Sequence, residues 1–113
     1  MKTTTKIALL CATLPLAASL GHAAPAADNW ENECASCHGA DGKGQTKQGK
    51  KLKLRDYTDA KVQAEMKDED MLKAIVEGVK DKDSGKERMK SFKEAFSTEE
   101  AKDLVAFIRK MKA

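Results

Sequence analysis

Cys34-Ala35-Ser36-Cys37-His38 constrains this chain more than the rest of its 113 residues. Two thiols three positions apart, followed at once by an imidazole, form the attachment sequence of a c-type haem. Each residue type has a chemical reason to be there. The thiols of Cys34 and Cys37 add across the vinyl groups of a porphyrin and form thioethers. The two residues between them let one helical turn present both sulfurs to the same edge of the ring. His38 then falls under the iron, where its imidazole serves as proximal ligand. A chain modified in this way must fold around a large, flat, apolar body, and its chemistry is expected to be redox.

The residues ahead of the motif form a separate segment. Lys2 and Lys6 give a positive start, an apolar run follows from Ile7 to Leu20, and small residues close it at Gly21-His22-Ala23-Ala24. This is the three-part layout of a secretory leader. Cleavage is expected after Ala23, with rival sites from Ala24 to Ala27, so residues 1–23 are the signal peptide and 24–113 one domain. Pro15 interrupts a run already short of the ~20 residues that a spanning helix needs, and no stable membrane anchor is expected. Leu10 precedes Cys11 where a lipoprotein signal requires glycine or alanine, so Cys11 is expected to leave with the leader.

That removal leaves Cys34 and Cys37 as the only thiols of an exported chain of about 90 residues, enough for a single small domain. Small exported domains normally depend on disulfides or a metal centre. Aromatic residues are sparse: Trp30, Tyr57, Phe92, Phe96 and Phe107. A haem supplies the missing apolar volume, and the haem-free chain is expected to be poorly folded. Without Lys2 and Lys6 the chain is nearly neutral, but its charge is uneven. All charged residues from Lys43 to Arg55 are basic, Asp56 to Glu77 leans acidic, and basic residues return at Lys80, Lys82, Lys86, Arg88, Lys90 and Lys93, diluted by Asp81, Asp83 and Glu87.

The coarse pattern is helical. Asp28 and Glu31 resemble a capping box, which predicts a helix from about Asn29 into the haem motif. Gly39, Gly42, Gly44 and Gly49 predict an irregular loop. A short helix is expected from Asp59 to about Met66. Another is expected from Glu69 to Val79, with Met71, Ile75 and Val79 spaced four apart and Gly78 near its end. The last helix has Ser97 as cap, Glu100 completing a box and Phe96 placed for a hydrophobic staple. Its buried stripe is predicted to be Ala101, Leu104, Val105, Ile108 and Met111, with Phe107 at the margin, while Arg109, Lys110 and Lys112 suit its negative end. No stretch alternates with period two for long enough to predict a strand.

Iron held by His38 has a sixth position, and thioether sulfur there raises the reduction potential. The candidates are Met66, Met71, Met89 and Met111. Met71 and Met111 fall on helical stripes, where methionine commonly fills core gaps. Met66 lies near a helix end in acidic surroundings. Met89 sits in a charged, glycine-containing loop with no stripe to explain it, so the residues alone favour Met89 and leave the others open.

Over essentially its whole exported length the chain resembles the small class I cytochromes c. The matching pieces are Trp30, Cys34-x-x-Cys37-His38-Gly39, Asp41-Gly42-x-Gly44, Asp56-Tyr57-Thr58, and Asp68-Glu69-Asp70 leading to Ile75 and Gly78. Met89-x-x-Phe92 and a final helix carrying Leu104, Phe107 and Ile108 complete them. The resemblance implies an all-α fold of three to four helices wrapped around one covalently bound haem c. It implies that the terminal helices cross, with Trp30 near Leu104 and Phe107, and that His38 and Met89 are the axial ligands. Three positions depart from the family pattern. Ala26 stands where a glycine is common. No proline follows Pro25, so another carbonyl, between Lys50 and Leu54, is expected to accept the ring N–H of His38. Lys90 replaces the familiar proline after the axial methionine, which leaves the Met89 loop less constrained.

Other readings of the motif fare worse. Zinc needs four ligands, and His22 leaves with the leader. A redox-active dithiol would want a βαβ setting. The expected function is therefore a periplasmic one-electron carrier rather than an enzyme. It is expected to be monomeric, with redox partner proteins that offer acidic docking surfaces and with no affinity for nucleic acid. The alternative is a haem protein with a labile sixth position that binds small gases or decomposes peroxide.

Overall fold

The computed structural model describes residues 24–113 and, apart from them, Ala12. Apart from Ala12, the expected leader, with Cys11 and His22, lies outside the described residues. The chain runs α1 (Ala26–Glu33), α2 (Ala35–His38), α3 (Lys47–Leu52), α4 (Ala60–Glu65), α5 (Asp68–Glu77), β1 (Val79–Lys80), β2 (Glu87–Met89) and α6 (Thr98–Arg109). There are thus six helical segments among the described residues rather than three or four, the additional ones being short.

The final helix forms as its sequence predicts. The Ser97 hydroxyl accepts from the Glu100 amide at 3.1 Å, and the Glu100 carboxylate accepts from the Ser97 amide at 3.1 Å. Ala101, Leu104, Val105 and Ile108 are buried, whereas Phe107 and Met111 are half-buried. The ring of Phe96 stacks on Phe92 with centroids 5.5 Å apart. α6 packs against both α1 and α5. Its stripe joins Trp30, Cys34, Ile75 and Phe92 in one core cluster, where each large side chain contributes ~1.5–3 kcal/mol by leaving water.

The cap of α6 has a consequence for acid stability. Hydrogen bonds from Ser97 hold the Glu100 carboxyl below its ordinary value of 4.5. A carboxyl lowered in the folded state stabilises the fold above its unfolded value and loses that contribution as pH falls through the folded one. Glu100→Gln should therefore flatten the fall in melting temperature on acidification below that ordinary value. An unchanged acid limb in thermal melts would contradict this.

α1 begins earlier than its sequence suggests. Pro25 is its N-cap, and its carbonyl accepts from the amides of Asp28 and Asn29 at 3.0 and 3.1 Å. The box predicted at Asp28 and Glu31 does not form, because Asp28 already lies within the first turn. The helix also breaks at Cys34 (φ −117°) and does not run through the motif. α3 occupies part of the predicted glycine loop. Thr46 caps it, accepting from Gly49 N at 2.9 Å. A side chain on Gly49 would run into the carbonyl oxygens of Gly44 and Cys37, so glycine is here a packing requirement within a helix.

α5 stops at Glu77 because Gly78 turns left-handed (φ 77°). Val79 therefore falls outside the predicted stripe: it is exposed and pairs with Met89 in an antiparallel hairpin. Strands of two and three residues are too short to carry a periodicity. At the other end of α5, the guanidinium of Arg109 donates to Asp68 Oδ1 at 2.7 Å, to the Met66 carbonyl at 2.6 Å, and to the Gln63 carbonyl and Oε1 at 2.6 and 3.0 Å. The buried Gln63 amide donates in turn to the carbonyls of Tyr57 and Ile108 at 2.7 and 2.8 Å. Arg109 therefore fastens the α4–α5 corner to α6, beyond its expected role at a helix dipole.

Candidate haem-binding site

The break at Cys34 shapes the site. Cys34 caps α2, and the amides of Cys37 and His38 both donate to its carbonyl, at 3.2 and 2.9 Å. The two thiols and the imidazole are thereby set on one short turn. Gly39 follows with φ 85° and donates to Ala35 O at 2.8 Å. The Trp30 indole N–H donates to the Gly39 carbonyl at 3.0 Å and ties this turn to α1. Behind α2, the Thr46 hydroxyl donates to the Cys37 carbonyl and the Gly44 amide to the His38 carbonyl. The motif is rigidly backed by its own loop.

These elements wall a cavity of about 320 Å³, a volume in the range of cofactor sites. Cys34 and His38 line it from α2, Met89 from the hairpin, and Trp30, Ile75 and Leu104 from the core. Cys37, one turn after Cys34, is not among the lining side chains. Met66 and Met71 also face the cavity, whereas Met111 packs elsewhere, its sulfur against Gly42. The structure thus leaves Met66, Met71 and Met89 on the same cavity as the imidazole, and Met111 off it. Sequence reasoning missed the charged members of the lining, Arg55, Glu65, Lys67 and Asp70. Arg55 and Glu65 form an ion pair at 3.5 Å with both side chains about half exposed, a geometry that stabilises little. No local pattern marks these residues, because they come from separate segments: Arg55 before α4, Glu65 at its end, Lys67 ahead of α5 and Asp70 within it.

The His38 ring is held by aromatic neighbours. Tyr57 stacks on it at 5.4 Å and 22°, and Trp30 lies at 5.6 Å. Burial pushes its pKa below the ordinary value and keeps the imidazole neutral, the form that ligates a metal. Its Nδ1 is buried without a hydrogen-bond partner. The carbonyl expected between Lys50 and Leu54 is therefore not in place. Lys50 O accepts from Lys53 N, and Leu52 O accepts from Arg88. Burial, with smaller contributions from Glu33 and Cys37, raises the Cys34 thiol to about 11. Among the described residues no group of three or more His, Cys, Asp and Glu side chains is placed to hold a metal ion.

The arrangement fits a haem: two thiols on one turn, a buried neutral imidazole, a largely apolar cavity, and thioether sulfur from a second element. The family model described as Cytochrome c matches residues 23–112. Among solved structures, the KustC0563 c-type cytochrome is 35% identical, with a TM-score of 0.68 over 78% of this chain and 98% of that one. A tyrosine-to-phenylalanine mutant, titled Kustc0563, is also 35% identical, with a TM-score of 0.66 over 78% and 99%. No curated protein matches the chain. A domain of this kind carries covalently attached haem c.

Proposed function

Because the chain belongs to the cytochrome c family, we propose that it is an exported, periplasmic carrier of single electrons, not an enzyme, whose haem iron is held by His38 and Met89. One observation carries this reading: Cys34, His38 and Met89 line a single cavity although the hairpin residue lies some fifty positions from the motif. Haem c supplies the one-electron chemistry, its iron passing between ferrous and ferric states. The chain's own residues hold and shield it. Cys34 and Cys37 fix the porphyrin edge, His38 offers a neutral ring nitrogen, and Trp30, Ile75 and Leu104 exclude water from its faces. Keeping both axial groups in place in both oxidation states limits the rearrangement that accompanies each transfer.

The alternative with a labile sixth position drew its support from Lys90 standing where a proline would stiffen the Met89 loop. Three contacts stiffen it here. Met89 pairs with Val79, the Ser91 hydroxyl donates to Val76 O at 2.6 Å, and the Phe92 amide donates to Ile75 O at 3.0 Å. These favour a fixed ligand. The experiment that tests the reading is an optical redox titration of the holoprotein. It should show a single one-electron step and, in the ferric form, the weak far-red band of thioether sulfur on haem iron. A ferric spectrum without that band, or rapid carbon monoxide binding by the ferrous form, would overturn it.

The partners proposed are redox proteins with acidic docking surfaces. Arg88 reaches the Leu52 carbonyl and so brings the basic segment around α3 beside the basic hairpin. A surface rich in lysine and arginine steers an acidic partner and speeds encounter. The bimolecular transfer rate should fall steeply as ionic strength rises toward about 0.15 M, where charges are screened beyond ~8 Å. A rate indifferent to salt would reject electrostatic docking. No helix among the described residues is long and apolar enough to cross a membrane.

A further inference from the structure

The hairpin that carries Met89 contains an irregularity with a direction. Val79 pairs with Met89 and Lys80 with Glu87, which leaves Arg88 as the extra residue on β2. A bulge of this kind re-aims the side chain it carries. Arg88 reaches outward from the hairpin, and its guanidinium donates to the Leu52 carbonyl, 36 positions earlier in the chain. Leu52 is the last residue of α3, where carbonyls lack intrahelical partners and the helix dipole is negative. A guanidinium therefore suits that acceptor.

Neither end of this bond lines the cavity, but each is tied to a different part of its wall. α3 is locked to the His38 turn through Thr46 and by the close approach of Gly49 to Cys37. The Met89 segment is pinned to α5 through Ser91 and Phe92. Among the described residues, Arg88 to Leu52 is the one hydrogen bond running from the hairpin to residues 34–58. Without it the hairpin is held to the body of the protein from the α5 side and through the exposed Lys90–Glu33 ion pair at 3.8 Å.

We propose that Arg88 is a positioning residue, a latch that joins the His38 and Met89 walls and keeps the methionine sulfur on the haem iron. This rests on the reading of Met89 as axial ligand. The latch does the work of the proline that Lys90 replaces, but by a long-range hydrogen bond instead of local stiffness. It is exposed, so it opens far more readily than the buried core and governs how often the sixth position becomes free.

The test is capture of imidazole by the ferric holoprotein, followed by stopped-flow absorbance, with the far-red band recorded in parallel. Arg88→Ala should capture imidazole about tenfold faster, equivalent to ~1.4 kcal/mol, the order of a charge-assisted hydrogen bond, and its far-red band should weaken. Arg88→Lys should recover part of both effects. Lys61→Ala, which removes an equal charge from α4, should behave as the unaltered protein. Should Arg88→Ala not accumulate as holoprotein, Arg88→Gln gives the same comparison with a neutral donor. Unchanged capture and an intact band in the Arg88 variants overturn the latch while Met89 ligation stands, and so does equal acceleration in Lys61→Ala. Absence of the band from the unaltered protein overturns the ligand reading itself.

Discussion

Replacing Met89 with alanine should leave the haem covalently attached through Cys34 and Cys37 but abolish the far-red band of the ferric protein. The reduction potential should fall by on the order of 0.1 V or more, within the ~0.8 V over which axial ligation moves haem potentials. The physical reason is the loss of a soft sulfur donor that favours the ferrous state. Spectroelectrochemistry on purified holoprotein measures both quantities at once. Because Met66 and Met71 share the cavity, the comparison must include Met66→Ala and Met71→Ala. If the band survives in Met89→Ala and vanishes in one of the others, the ligand is that methionine and the assignment to Met89 is wrong.

Gly78→Ala is expected to be nearly as damaging, although residue 78 is absent from the cavity lining. Its backbone sits at φ 77° and ψ −179°, a region almost exclusive to glycine and costing other residues about 1–3 kcal/mol. Space is also lacking. A Cβ there would lie 2.6 Å from the Met89 carbonyl oxygen and 2.8 Å from the Ser91 amide nitrogen. Both atoms are backbone, so relief requires moving the end of α5 or the Met89 segment itself. The melting temperature should fall by on the order of 10 °C or more for a domain of this size, and the far-red band should weaken with it. Wild-type melting and an intact band would show that the segment can yield without cost.

What the sequence made legible was local. The α6 cap needs only Ser97 and Glu100, three positions apart, and its stripe needs only helical spacing. The Cys34-Cys37-His38 turn is likewise self-contained. Errors arose where distant backbone decided the outcome. Gly49 reads as a loop residue until Cys37 O and Gly44 O are seen pressing on it from outside α3. Val79 fits the α5 stripe by spacing, but Gly78 turns the chain and pairs Val79 with Met89. Asp28 and Glu31 have the letters of a capping box, yet Pro25 had already started the helix. In the site, Met71 looked like core filler because a stripe on α5 does not reveal that one flank of it opens onto a cavity. The neighbours of His38 were legible as residue types, but its orientation was not, since it depends on Tyr57 and Trp30 converging from separate segments.

The many ties of α6 bear on how the protein is made. Its side chains complete the core begun by Trp30, and Arg109 and the Ile108 carbonyl close the corner around Gln63. Cys34 shares its core cluster with the stripe of α6, so the motif stays uncovered until that helix docks. Until then the thiols have no interior to retreat into. Covalent attachment can therefore act on a chain whose α6 has not yet docked, and docking of that helix then seals the pocket.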